Sequence, residues 1–280
     1  HSVGALSAFL RPPPRTTSMK VLVRPCRTRL HAACLLPFCA MFLAGCGTVA
    51  VKDALHQEAR YLADNFTPAQ LAPDVRKKIE PGSGNAARFK SLRLTYRTQT
   101  DEEGRLSELV GKVELFDLGN GYVQRRTEFA RNDIPYRVNL ALTYAGMYRL
   151  KTQTLFLNRS NAQPAVEIKT LARFDHGLAN PQPGAIYHIE ASSGTSMQIA
   201  SFLPENAVCT AGNPMPAAQI FPRITGDAIP LDCTVRGAND AVVSRTGFNW
   251  LRDYGVAIER EGANAQSKAR HTVTGFEVSR

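Results

Sequence analysis

From Phe89 onward, apolar and polar residues alternate with a period of two. Leu92, Leu94 and Tyr96 interleave with Arg93, Thr95 and Arg97, and Val113 and Leu115 with Lys112 and Glu114. Val138, Leu140, Leu142 and Tyr144 interleave with Arg137, Asn139, Ala141 and Thr143. That period places one set of side chains on one face of a strand. Further strand-like runs cover Ala165–Phe174, Ala185–Ala191, Met197–Leu203, Leu231–Arg236, Gly255–Glu261 and His271–Val278. Gly119-Asn120-Gly121 and Ala145-Gly146 read as hairpin turns, and Asp101-Glu102-Glu103-Gly104 as a solvated one. Closely spaced strands with no helix between them predict a mainly β chain, an antiparallel sandwich or a half-open barrel over residues 86–280.

The period differs before Phe89. Val51, Leu55, Ala59, Leu62 and Phe66 recur at helical spacing, which predicts one amphipathic helix over Val49–Asn65. Its charges are mixed, so a helix packed on the domain is favoured over a membrane-surface or partner helix. Thr67-Pro68-Ala69-Gln70 has the form of a capping box with proline at the first helical position, and Asp74–Glu80 continues as a short helical piece. Pro81-Gly82-Ser83-Gly84-Asn85 ends this arm, giving a short N-terminal α-helical arm and linker over 46–85. Its glycines lack the Lys-Ser/Thr of a phosphate loop.

The chain has 280 residues and a formal charge of +10. Residues 1–45 hold Arg11, Arg15, Lys20, Arg24, Arg27 and Arg29 and no acid, so +6 belongs to them and +4 to the rest. A charge of +4 spread over so long a chain gives no electrostatic footprint for nucleic acid, which is excluded as a partner. Residues 1–18, including Arg11-Pro12-Pro13-Pro14-Arg15, are expected to be translated sequence upstream of a start at Met19.

After Lys20, Arg24, Arg27 and Arg29 comes an apolar run, Ala32 to Ala44, too short for a stable membrane span. A basic stretch followed by an apolar core reads as a secretory signal over 19–45. The core ends in Leu43-Ala44-Gly45-Cys46, which resembles the lipobox of bacterial lipoproteins. The resemblance covers Met19 to Cys46. It implies cleavage before Cys46 and acylation of that residue by palmitate-like chains, with the lipid bilayer as a partner. Two or three chains make a firm anchor, since each buried methylene contributes about 0.8 kcal/mol. Gly47 follows the cysteine where enterobacterial inner-membrane lipoproteins carry Asp, so the resemblance implies the outer membrane, with the domain facing the periplasm.

Cys26, Cys34 and Cys39 would leave with the signal, and Cys46 would carry lipid. That leaves Cys209 and Cys233, an even number with one possible pairing, which an oxidising periplasm would join; two separate buried thiols are the alternative. The stretch between them, rich in proline and glycine, supports itself poorly and suits a staple.

Catalytic candidates are sparse. Asp175-His176-Gly177 could form a general base or a plain turn, His188 faces away from Tyr187 and Ile189, and Ser193 sits in a hydroxyl-rich stretch, Ser192–Ser196, that would join two strands. No Gly-x-Ser-x-Gly elbow, metal-ligand spacing or cofactor motif stands out. Trp250 lies in Phe248-Asn249-Trp250-Leu251 with Tyr254 nearby, a cluster that forms core or lines a cavity for an acyl chain. The lipoprotein-localisation receptors join a lipid anchor to such a barrel, but no motif ties this chain to them. The expected role is a non-catalytic binding, carrier or envelope-assembly module for an apolar ligand or an envelope protein. An envelope hydrolase drawing on Asp175, His176, His188 or Ser193 is the alternative.

The lipobox reading is checked by metabolic labelling. Cys46→Ser should abolish incorporation of a clickable fatty acid, and unchanged labelling would refute lipidation.

Overall fold

The computed structural model describes residues 49–80 and 87–280. The signal, its Leu43-Ala44-Gly45-Cys46 motif and the boundary at 81–85 lie outside them. Three short helices come first, α1 (Val51–His56), α2 (Glu58–Asn65) and α3 (Pro73–Ile79). Thirteen strands follow: β1 (Ser91–Glu102), β2 (Arg105–Asp117), β3 (Tyr122–Arg131), β4 (Ile134–Tyr144), β5 (Tyr148–Phe156), β6 (Val166–Phe174), β7 (Ile186–Thr195), β8 (Leu203–Ala211), β9 (Met215–Pro216), β10 (Asp227–Arg236), β11 (Val242–Leu251), β12 (Val256–Asn264) and β13 (Ser267–Ser279).

The strands form a single antiparallel sheet ordered β11-β12-β13-β1-β2-β3-β4-β5-β6-β7-β8-β10-β9. β10 also pairs with β11, from Ala228↔Leu251 to Arg236↔Val242. That ladder joins the ends of the sheet, so twelve strands close into a barrel and the two-residue β9 hangs outside the ring. The expected β class holds, but the sheet is neither a sandwich nor half-open. A two-period pattern makes a strand's inner face visible, whereas closure depends on which distant strands meet. Two seams are short: β5 and β6 share two residue pairs, β12 and β13 three. At the second, the β4–β5 turn fills the gap, with the Ala257 amide donating to the Ala145 carbonyl at 2.9 Å. Gly146 in that turn has φ +78°, and a Cβ there would meet the Ala257 carbonyl oxygen at 2.7 Å.

The hairpin turns at Glu103-Gly104, Gly119-Asn120-Gly121 and Ala145-Gly146 fall where the sequence puts them, with positive φ at Glu103, Asn120 and Ala145. Other expectations fail locally. Met197–Leu203 is a connection until Leu203, because Gln198 binds the chain into a turn by accepting from the Thr195 amide and donating to the Ala200 and Ser201 carbonyls. The Ser192–Ser196 stretch does not join strands; Ser192 to Thr195 complete β7.

The helix foreseen over Val49–Asn65 is two. Gln57, at φ −121° and ψ 43°, breaks it. Thr67 makes no side-chain cap, and Pro68–Gln70 is a single 3-10 turn. Helices of this length are marginal alone and hold through packing. Phe66, Val75 and Ile79 are fully buried in one cluster with Leu140, Leu142 and Leu155 of the barrel. Gln124 of β3 donates its side-chain amide to the carbonyls of Leu62 (3.2 Å) and Phe66 (3.0 Å), fixing the end of α2 to the barrel. Arg126 pairs with Glu58, and the Tyr61 hydroxyl donates to Gln153 at 2.7 Å.

Cys209 and Cys233 form a disulfide between directly opposed residues of β8 and β10. Cys233 also stands opposite Thr246 of β11, so the bond sits beside the closing ladder. A loop of this length constrains the unfolded chain by about 3 kcal/mol in the loop-entropy account. Replacing both cysteines by alanine should lower the melting temperature by about 6–12 °C. Unchanged melting, or free thiols in the native protein by non-reducing mass spectrometry, would count against the staple.

Candidate functional site

A cavity of about 450 Å³ opens inside the barrel between β5, β6, β7, β8, β10 and β11. Opposed residues on neighbouring strands share a face. Ser193↔Leu203, Ile189↔Ala207 and Tyr187↔Cys209 therefore put the odd-numbered residues of β7 and β8 on one face, and Ser193, Leu203, Ala207 and Cys209 line the space. Leu150, Ile168, Ala207, Val235, Phe248 and the disulfide make its apolar walls. At its edge, Val166, Leu203 and Val243 are exposed, Leu203 to 67%. The connection running into Leu203 carries Ile199, 94% exposed.

Polar side chains interrupt the apolar lining, among them Tyr148, Arg149, Glu167, Ser193 and Glu205. The Tyr148 hydroxyl is buried with no hydrogen-bond partner. Burial pushes its pKa well above 10, and the nearby Glu205 adds to the shift. Burial also raises the Glu205 carboxyl above its ordinary range, with the Ser193 hydroxyl and the Arg149 charge opposing. A buried polar group without a partner is costly. An unpartnered buried hydroxyl and a carboxyl of raised pKa in one cavity make it the first candidate for a binding site. A second hollow, about 570 Å³, is lined by Asp101, Asp232, Arg245, Glu261, Lys268 and Arg270 among others. It is larger, but Asp232 and Glu261 are both engaged by Arg260, and no unpartnered buried side chain lines it.

Behind Arg149 lies a charged tie between distant strands. Glu259 of β12 accepts from Arg125 of β3 at 3.0 Å, lies 3.9 Å from Arg149 of β5 and 3.6 Å from the His271 Nε2 of β13. β4 carries Ala141 and Thr143 opposite Arg125 and Arg149, which sets both arginines on one face. His271 meets the Thr98 hydroxyl at 2.8 Å through Nδ1. Burial alone would raise the Glu259 pKa; His271, Arg125 and Arg149 overcome it and hold the carboxyl far below its usual range.

The residues of the hydrolase reading do not converge. Asp175 is engaged by Arg173 at 3.0 Å and accepts the His188 backbone amide at 2.7 Å; burial opposes, but these partners hold its pKa low. His176 sits in a 3-10 turn with Nε2 2.8 Å from the Lys78 carbonyl oxygen. His188 and Ser193 differ by an odd number along β7 and face opposite sides, so neither can serve the other as base and nucleophile. Trp250 is core, 2% exposed, and does not line the cavity, whereas Phe248, two residues earlier, does. Glu205, Arg149 and Tyr148 escape sequence reading because their importance comes from meeting across β5 and β8. Among the described residues, no group of three His, Cys, Asp or Glu could hold a metal, and no helix is long and apolar enough to cross a membrane.

No family model matches the chain, and comparison with curated proteins returns no match. Among solved structures, it is similar to a DUF1329 family protein from Desulfovibrio piger, at 8% identity and TM-score 0.39, over 72% of this chain and 93% of that one. It is also similar to a β-barrel-like protein of DUF1849 from Brucella abortus, at 11% identity and TM-score 0.40, over 70% of this chain and all of the other.

The raised Glu205 pKa has a defined sign for stability. Below the unfolded value, about 4.3, Glu205 is protonated in both states and costs nothing. As pH rises through the higher folded value, ionisation is resisted in the fold and stability is lost. Glu205→Gln should melt with the parent near pH 4 and at a higher temperature at pH 8. A variant that melts lower at pH 8 would contradict this.

Proposed function

We propose that this chain is an outer-membrane lipoprotein that binds and carries an apolar ligand on the periplasmic side, tethered through acylated Cys46. The tether rests on the Leu43-Ala44-Gly45-Cys46 motif and the basic, apolar leader before it. The binding role rests on one observation, an apolar cavity of about 450 Å³ within the barrel and edged by exposed Val166, Leu203 and Val243. Cavities of this size suit single small ligands. Exposed apolar residues at an opening mark a path by which a greasy molecule can leave a bilayer or another protein without crossing water. The disulfide and the closed ladder make the walls stiff, so the space is held open before the ligand arrives.

Binding is tested with N-phenylnaphthylamine, an uncharged apolar dye that fluoresces on leaving water. The protein should bind it saturably, at about one dye per chain. Ala207→Phe, which adds a ring to the apolar wall, should weaken binding at least tenfold with an unchanged circular dichroism spectrum. Absence of saturable binding, or an indifferent Ala207→Phe, would overturn the carrier reading.

A further inference from the structure

We infer that the end of the barrel carrying the cavity mouth rests on the lipid bilayer, with Met197 and Ile199 of the β7–β8 connection inserted among the lipids and the opening at Val166 and Leu203 turned toward them. The inference rests on the tethered-carrier reading and adds to it the surface from which the ligand enters.

The placement of exposed apolar side chains carries the argument. Strand direction alternates around the ring, so the β1–β2, β3–β4, β5–β6, β7–β8, β10–β11 and β12–β13 connections share one end. Among the described residues, every exposed large apolar side chain lies at that end except Leu118, Ile186 and Val278. Ile199, at 94%, is the most exposed of them. Exposed apolar side chains gathered in one region mark a membrane or partner surface. Charge then divides this end into two sides. The β1–β2 turn holds Asp101, Glu102 and Glu103, and the β3–β4 turn holds Arg131 and Asp133. Residues 157–165, between β5 and β6, hold one charged residue, Arg159, and residues 196–202, between β7 and β8, hold none. The side with Met197, Ile199 and the cavity mouth is therefore the one that leaves water at least cost.

Backbone groups entering lipid also need partners. The β7–β8 connection supplies its own. The Gln198 side chain accepts from the Thr195 amide and donates to the Ala200 and Ser201 carbonyls, and the Gln198 amide donates to the Thr195 carbonyl at 2.9 Å. The Ser196 amide donates to the Ala165 carbonyl at 2.7 Å. Met197 and Ile199 stand out from this self-satisfied turn, Met197 to 63%.

The point where the chain enters selects a bilayer over a protein partner. The Ala162 amide donates to the Val49 carbonyl and the Val51 amide to the Ser160 carbonyl, both at 2.9 Å, so the start of the helical arm is fixed to the β5–β6 connection. Cys46 precedes Val49 by three residues, a reach of at most about 11 Å. An acyl anchor on Cys46 holds the uncharged side of the barrel end against the surface in which its chains are buried.

Acylated full-length protein in vesicles of phosphatidylethanolamine and phosphatidylglycerol tests the orientation. With Cys46 acylated and Cys209 bonded to Cys233, an introduced cysteine can be labelled selectively with a nitrobenzoxadiazole dye, through Ile199→Cys, Met197→Cys or, at the opposite end, Ile186→Cys. Lipids carrying a nitroxide on the acyl chain should quench the dye at 199 and 197 at least fivefold more strongly than at 186. Adding Ile199→Asp to Met197→Cys should cut quenching at 197 at least twofold. Equal quenching at the two ends, or none at 199 in protein shown by mass to be acylated, would overturn the orientation. So would a label at 199 that stays in water on vesicles and leaves it only when a second envelope protein is added, the sign of a protein partner. The carrier reading, tested by N-phenylnaphthylamine in solution, stands in each of these cases. A native chain without acyl groups on Cys46 would remove the tether and the orientation together.

Discussion

The pairing of β10 with β11 is the constraint on which the rest of the molecule depends. Without it the sheet would have two free edges, and unpaired strand edges invite pairing with other chains. With it, every strand has one face committed to a common interior, and each inward side chain must pack, pair or line a void. Cys233 stands at this junction, bonded to Cys209 on one side and opposite Thr246 on the other. Opening the β8–β10 or the β10–β11 ladder would strain the same residue, so the covalent bond reinforces the hydrogen-bonded closure where the ring is completed.

Closure also explains how buried charge is tolerated. Taking Glu259 out of water is expensive unless its lone pairs are met. Arg125, Arg149 and His271 meet them from β3, β5 and β13, which no flat sheet could bring to one carboxylate. The geometry required of all four strands is narrow. The cluster therefore constrains how the walls sit relative to each other, a restraint that apolar packing supplies less directionally. On the outside, the helices do the complementary work. Gln124, Arg126 and Gln153 on β3 and β5 bind Leu62, Phe66, Glu58 and Tyr61, tying marginal helices to the barrel by directed bonds.

Much of the strand content was legible in the sequence because alternation is a local signal. Leu92, Leu94 and Tyr96 face one way in the fold as they do in the pattern. Cys209 and Cys233 could be matched because no other pairing remained. The failures share a cause: they were decided by partners far along the chain. Met197 and Ile199 look like strand residues but lie in a turn fixed by Gln198. Gln57 breaks a helix whose apolar spacing runs through it, and the second piece is tied to β3 and β5 through Glu58, Tyr61 and Leu62. The site was the least legible part. Glu205 belongs to a strand the alternation did not reveal, and Tyr148 and Arg149 read as ordinary β5 residues. Their chemistry is a product of register, which brings one carboxyl, one hydroxyl and one guanidinium to a single cavity.

The position of that cavity follows from the weakest part of the ring. β5 and β6 share only Lys151↔Glu167 and Thr152↔Val166, so the wall between them cannot be drawn tight. Loose pairing there leaves space on the inner side, and the space is bordered by residues from both strands. A sequence under selection for stability alone could fill it with larger side chains in place of Ala207 or Ser193 and replace Glu205 with an apolar residue. Instead the fold retains a void, an unpartnered hydroxyl and a carboxyl held away from its preferred charge. Local conflicts of this kind concentrate where function requires them. An apolar ligand with one polar group for the Tyr148 hydroxyl would fill the void and partner the orphan together.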